Sequence, residues 1–224
     1  VPIAWGLSLQ GAVSLGDYIY TSNPEFTQMI DNSATDVVHS RVNWKGMKVE
    51  STPQTAINVG LNFRGPNNWF ASVDFNYYDR LYLSMNPMYR TEYLANEIKR
   101  IYDWNNLETG RQKAYVVGII DEIRQQEDLG NAYTLSASIG KNFRIKYKYT
   151  LGFSLQVNNI LNNQRIRTGG YEQMRLNKLS DPIIFPNADG EMVITKKPTT
   201  YSRFDSKYFY MNGINYYLNI YFRF

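Results

Sequence analysis

The chain has 224 residues, no cysteine, and 24 basic against 20 acidic side chains, so a disulfide framework and thiolate metal sites are excluded. Charges of both signs are interspersed, which argues against a basic stripe for nucleic acid. No run of about 20 apolar residues occurs, so no helix spans a membrane; a spanning barrel stays open, because its strands need only every second residue apolar.

Six segments alternate with period two over roughly the nine to eleven residues a tilted strand needs to cross a bilayer. The first sets Trp5, Leu7, Leu9, Val13 and Leu15 against Gly6, Ser8, Gln10, Ala12 and Ser14. The second sets Ile57, Val59, Leu61 and Phe63 against Ala56, Asn58, Gly60 and Asn62. A tight turn, Arg64-Gly65-Pro66-Asn67-Asn68, leads into the third, where Trp69, Ala71, Val73, Phe75 and Tyr77 oppose Ser72, Asp74, Asn76 and Tyr78. The fourth runs Tyr133, Leu135, Ala137 and Ile139 against Thr134, Ser136, Ser138 and Gly140. The fifth shows Leu151, Phe153, Leu155 and Val157 against Gly152, Ser154, Gln156 and Asn158. The sixth, from about Tyr208 to Phe224, ends with Tyr216, Leu218, Ile220, Phe222 and Phe224 on one face and Tyr217, Asn219, Tyr221 and Arg223 on the other. A half-buried strand of a soluble sheet gives the same local pattern.

The links, together with the placement of aromatics, favour the barrel over the soluble sheet. Two are short, about residues 64–68 and 141–149; three are long, about 21–53, 80–131 and 162–206. Strict alternation places every long loop on one side, as in outer-membrane barrels, whereas a soluble sandwich has no reason to keep it. Aromatics gather where interfaces belong. Trp5, Phe63, Trp69, Phe143, Tyr147, Tyr149, Phe222 and Phe224 lie toward the short-turn end, and Tyr77, Tyr133 and Tyr208 toward the other. The fold class expected is therefore all-β: a transmembrane antiparallel β-barrel segment of about six strands. A barrel needs about eight, so the expectation is a wall completed by upstream polypeptide or a partner chain. Val1-Pro2-Ile3, neither an initiator Met nor a signal peptide, fits a piece of something longer.

The long loops carry patterns of their own. Leu94, Ile98 and Ile101 form one helical stripe; Tyr115, Val116, Ile119, Ile120 and Ile123 form a stronger one, with Asp128 to Gly130 expected to end it. Ile183-Ile184-Phe185 and Met192-Val193-Ile194 flank Asp189-Gly190, a hairpin signal. Loops of this length with internal structure are usually functional.

Several stretches, in order, resemble the C-terminal end of TonB-dependent outer-membrane receptors of the Bacteroidetes (SusC-like) kind. They are Leu15-Gly16-Asp17-Tyr18, Pro53-Gln54, Asn76-Tyr77-Tyr78-Asp79 with Tyr82-Leu83, and Asn86-Pro87-Met88-Tyr89-Arg90-Thr91. Beyond these come Val157-Asn158-Asn159-Ile160-Leu161-Asn162-Asn163, Gly169-Gly170-Tyr171-Glu172-Gln173 and the terminal strand. The resemblance implies a barrel of about 22 strands closed by a plug, to which this chain supplies the last six or so. It also implies import of a bulky nutrient such as a glycan, peptide or metal chelate. The long loops would be extracellular, the C-terminus periplasmic, and Tyr216, Leu218, Ile220, Phe222 and Phe224 the barrel-assembly signal. Implied partners are outer-membrane lipid, the rest of the barrel, the TonB complex acting through an N-terminal plug and TonB box not present here, and a SusD-like surface lipoprotein. An adhesin or structural barrel without transport is the alternative, and a soluble β-sheet binding module a third reading.

Catalytic and metal signals are weak. His39, the only histidine, stands near Asp36 and Ser40 in a loop without a nucleophile elbow, so a solvated histidine is expected. Asp121 with Glu122, and Glu127 with Asp128, read as a solvated helix face, because adjacent residues do not face one another. Asn187, Asp189 and Glu191 offer too few oxygen ligands for a cation and fit a turn. No catalytic residue, metal or cofactor is expected. Asp74 and Asn76 read as lumen polarity. Ligand binding is the plausible chemistry, through aromatic faces and forked donors in the outer loops: Trp44, Tyr89, Arg90, Trp104, Arg165, Tyr171 and Arg175.

Overall fold

The computed structural model describes residues 1–30, 33–146, 148–174, 176–179, 183–186, 188–196 and 200–224. Alternating side chains and short turns give one antiparallel meander: β1 (Pro2–Ala4), β2 (Leu7–Leu15), β3 (Thr55–Arg64), β4 (Trp69–Asp79), β5 (Ala132–Ile145), β6 (Tyr149–Asn158) and β7 (Asn215–Arg223), neighbours in that order. Short connections join β1 to β2, β3 to β4 and β5 to β6 at one end. All long segments leave from the other.

Register keeps the two faces apart. One row runs Leu7, Phe63, Ala71, Ile139, Leu155 and Leu218, and the next runs Leu9, Leu61, Val73, Ala137, Val157 and Tyr216. A one-residue slip in any strand would put polar side chains into these rows. The face so formed is uncovered by any described element: Val13 and Ile220 are each 66% exposed and Leu218 is 61% exposed. Leu7 and Phe153 are partly shielded by neighbours in the sheet.

The opposite face is a polar ladder. Asn58 Nδ2 donates to Asn76 Oδ1 (2.9 Å), Ser72 and Ser138 share a hydrogen bond (2.8 Å), and Gln10 Nε2 donates to Asp74 Oδ1 (3.3 Å). Glycine makes room for rings here. A Cβ on Gly140 would lie 2.3 Å from Phe70 Cζ and 2.6 Å from the backbone oxygen of Phe153. The ring can move but the carbonyl cannot, so Gly140→Val is expected to destabilise the wall by about 1–3 kcal/mol. Thermal unfolding of the purified protein checks this, and an unshifted transition would count against it.

Several expectations need correction at the strand ends. Trp5 lies in the β1–β2 turn with φ 57°, not in a strand, and is 94% exposed. The fourth strand continues past Lys141 to Ile145, which shortens the link to three residues, 146–148. The expected strand from Tyr208 to Phe224 is two elements. Lys207–Tyr210 pairs with Arg167–Tyr171, and only Asn215–Arg223 joins the wall. Tyr208 accordingly belongs to the loops and to no interface belt; Tyr147 lies outside the described residues. At the short-turn end Trp69 meets Phe153 edge-on (6.3 Å), Phe143 stacks on Phe153 (6.0 Å), and Tyr149 stacks on Phe222 (5.8 Å).

Among the described residues the buried core lies in the long loops, not beneath the sheet. Helix α1 (Glu92–Ile101) starts where the Thr91 hydroxyl accepts the Leu94 N–H, and α2 (Gly110–Arg124) starts in a capping box of Thr109 and Gln112. Leu94, Ile98, Val116, Ile120 and Ile123 interlock with Tyr89 and Tyr102. The helix ends at Arg124, before Asp128, whose side chain instead accepts the Gly130 N–H in a turn (2.8 Å). The expected hairpin is present as Ile183–Pro186 paired with Met192–Lys196. Two further hairpin-like pairings, Glu25–Ile30 with Ser33–Arg41 and Leu176–Leu179 with Thr200–Arg203, complete the layer. No described helix is long and apolar enough to cross a membrane, which says nothing of strands.

Candidate functional site: an aromatic and acidic cleft in the loop layer

A buried ion pair frames the cleft. Arg90 is 0% exposed and Glu172 4%, and the guanidinium grips the carboxylate with both terminal nitrogens, Nη2 donating to Oε1 at 2.7 Å and Nη1 to Oε2. Both terminal nitrogens make a further bond each, while the buried Nε has no partner among the described residues. Nη1 donates to the Asn86 carbonyl (3.2 Å), Nη2 donates to the Gln125 carbonyl (3.0 Å), and Glu172 Oε2 accepts the Asn86 N–H (2.8 Å). Arg203 Nη1 adds a second cation at Glu172 Oε1 (3.2 Å). Bidentate pairing with further backbone partners offsets much of the cost of taking the two charges out of water. Asn86 Nδ2 and the Tyr89 hydroxyl both donate to the Gln173 carbonyl, at 3.0 and 2.7 Å. The Asn86–Thr91 and Gly169–Gln173 stretches, remote in sequence, are thus one clamp.

Beside this clamp a cleft of about 830 Å³ opens between α2 and the 202–208 segment. Tyr102, Tyr115, Phe204 and Tyr208 contribute rings, and Glu122 and Asp205 contribute carboxylates. Its volume falls within the range of ligand clefts. Arg203 lines it too, but its guanidinium is held by Glu172 and by the Gln125 carbonyl (2.8 Å). At the back, Glu127 is saturated: Oε1 accepts the Tyr208 hydroxyl and Oε2 that of Ser206 (2.9 Å), while Arg167 stacks over the Tyr208 ring at 4.1 Å. Donation to Glu127 pushes the Tyr208 phenol above its ordinary pKa. Tyr20, half-buried and bonded to Glu50 (2.6 Å), is pushed up to about 12 by desolvation and by that bond. Both phenols therefore stay protonated donors at neutral pH. The cleft presents flat faces and acceptors to an incoming molecule.

The residues expected to touch a ligand do not form one site. Tyr89 and Arg90 are enclosed, and their role is to hold the clamp. Trp44 is half-buried and tilted against Tyr20, ring centroids 4.9 Å apart. Trp104 packs on the helical core with Lys99 (5.2 Å) and Lys113 (5.9 Å) over its ring. Arg165 is exposed on a separate turn, where its backbone N–H bonds Asn163 Oδ1 (3.1 Å). Tyr171 is exposed and faces Phe209 (6.1 Å), away from the cleft lining. Arg175 lies outside the described residues, as do Asn187 and the side chain of Asp36. His39 is exposed, with Nδ1 3.0 Å from Thr27 Oγ1, and the Ser40 hydroxyl accepts the Tyr93 N–H (2.9 Å). Among the described residues no cluster of His, Cys, Asp or Glu is arranged to hold a metal ion.

Sequence reasoning missed Glu172, Glu127, Arg203 and Tyr208 as members of the cleft and its frame. Glu172 carried a signal: it is the first carboxylate after Asp128, a lone acid in a stretch otherwise free of them. No protein-family model matches the chain, and searches of curated proteins and of solved structures return no match.

Proposed function

We propose that this chain forms the C-terminal wall and extracellular loop layer of a TonB-dependent outer-membrane receptor, and that the loop cleft takes part in capturing the nutrient to be imported. The observation that carries the reading is the uncovered apolar face, continuous in register across six strands and bordered at the short-turn end by aromatic rings. Hydrocarbon covers such a face; water does not. The stagger supports closure into a barrel. The row beginning at Leu7, the first residue of β2, reaches β7 at Leu218, five residues above its end. That is about one residue per strand, the shear that tilts barrel strands by about 36°. Both sheet edges offer unpaired backbone groups to further strands.

For the cargo, ring faces with surrounding acceptors suit a molecule rich in hydroxyl or amine donors. The test is to express the complete gene in a Gram-negative host and fractionate the envelope. Outer-membrane residence, release only by detergent and heat-modifiable migration are expected; a water-soluble monomer would overturn the reading. Uptake that ceases when the inner-membrane energising complex is deleted separates an importer from an adhesin. Phe224, 91% exposed at the end of β7, is expected to serve the assembly machinery. Phe224→Asn should lower surface levels several-fold, and wild-type levels would count against that role.

A further inference from the structure

The charge of the chain is unevenly placed. The wall strands and short turns hold six cations, Arg64, Lys141, Arg144, Lys146, Lys148 and Arg223, against two carboxylates, Asp74 and Asp79. The remaining eighteen cations and eighteen carboxylates, all in the long loops, cancel. The whole formal excess of four therefore sits on the wall. Within the wall the signs separate again: Asp79 is at the long-loop end of β4 and Asp74 at mid-height on the polar face, while all six cations stand at the short-turn end.

Three of these are placed at the apolar face or its rim. Lys141 occupies an apolar-face position in β5, with Trp69 as its ladder partner on one side and Phe153 on the other. Its Nζ lies 4.7 Å from the Trp69 ring centroid and 4.9 Å from that of Phe143. Lys148 leans over Tyr149 at 5.4 Å, beside the Tyr149–Phe222 stack, and Lys146 is exposed in the same turn. No salt bridge among the described residues involves any of the three. A lysine in a lipid-facing row keeps its ammonium at the interface, where the available counter-charge is a headgroup phosphate.

We infer that the short-turn rim is a docking site for anionic phospholipid, with Lys141, Lys146 and Lys148 binding the headgroup phosphate and Trp69, Phe143 and Phe222 supporting the upper acyl chain. The inference rests on the proposed membrane location of the apolar face. It commits to lipid because the cations flank that face and share it with aromatic rings, which a soluble anion does not need.

The test uses the complete protein in nanodiscs of phosphatidylcholine with an equal share of phosphatidylglycerol, followed by native mass spectrometry of retained lipid. Phosphatidylglycerol should be retained preferentially at low salt, and about 1 M salt, where the screening length is roughly 3 Å, should erase the preference. Lys148→Gln, in an exposed turn where it gives up only its contact with the Tyr149 ring, should lower the preference by about fivefold, and adding Lys141→Gln should lower it by about fivefold again. Lys141→Arg should preserve it, and Lys99→Gln, in the loop layer, should leave it unchanged. Equal retention of both lipids by wild type overturns the inference while the membrane reading stands. Failure to enter nanodiscs, with the protein soluble in water, overturns both.

Discussion

Replacing Arg90 with alanine is expected to destabilise the loop layer by about 3–5 kcal/mol, the cost of leaving a buried charge without its partner. Glu172 would keep Arg203 as one neighbour but lose a bidentate one, and the Asn86 and Gln125 carbonyls would each lose a donor. Because the pair ties residues 86–91 to 169–173, the damage should spread beyond the point of substitution. Backbone amide exchange should speed up across α1 and the 169–173 stretch while β3 and β4 keep their protection. Arg90→Lys should recover little, since an ammonium cannot span both carboxylate oxygens in the same plane. A paired Arg90→Met and Glu172→Met replacement should cost less than Arg90→Ala, because it removes both members of the bidentate pair, although Arg203 and the Asn86 N–H then lose an acceptor. Unchanged exchange in Arg90→Ala would mean that the clamp is not what holds the layer.

The second large effect belongs to the wall. Leu155 stands near mid-height on the apolar face with Ile139 and Leu218 as ladder partners, and Gln156 points to the other face. With hydrocarbon against that face, Leu155→Arg should cost about 2–4 kcal/mol and Gln156→Arg far less. Leu155 is already 37% exposed. In a soluble sheet, therefore, the same arginine would reach water and change little. Folding into vesicles, with the two variants side by side, reads the difference. Equal behaviour would remove the argument for lipid on the Leu155 side.

The wall was legible in the sequence because a period of two allows no ambiguity about which side chains share a face. Every apolar set from Leu7 to Leu218 fell on one side as read. The strand ends were not, because ends are set by turns. Trp5 looks like the first apolar residue of a strand, yet the tight β1–β2 turn takes it at positive φ. Tyr208 continues the alternation of the last strand by accident, and its hydroxyl is claimed by Glu127. The two helices could be read from their apolar stripes. The cleft could not, since its parts come from α2 and from a segment some eighty residues later, and no local pattern encodes that meeting. Exposed aromatics and arginines were the natural guesses for ligand contact. Arg90 shows the weakness of that reasoning: the same fork that suits a ligand carboxylate suits Glu172 equally well.

Among the described residues the buried core sits in the loops and none of it beneath the sheet, which bears on how such a chain can change over generations. An insertion of one residue in β3 would turn every following side chain to the wrong side, so the strands tolerate almost no change in length. Lengthening a connection among the helices and hairpins adds only a slowly growing entropic cost. The loop layer is therefore free to diversify beyond a scaffold whose spacing is frozen.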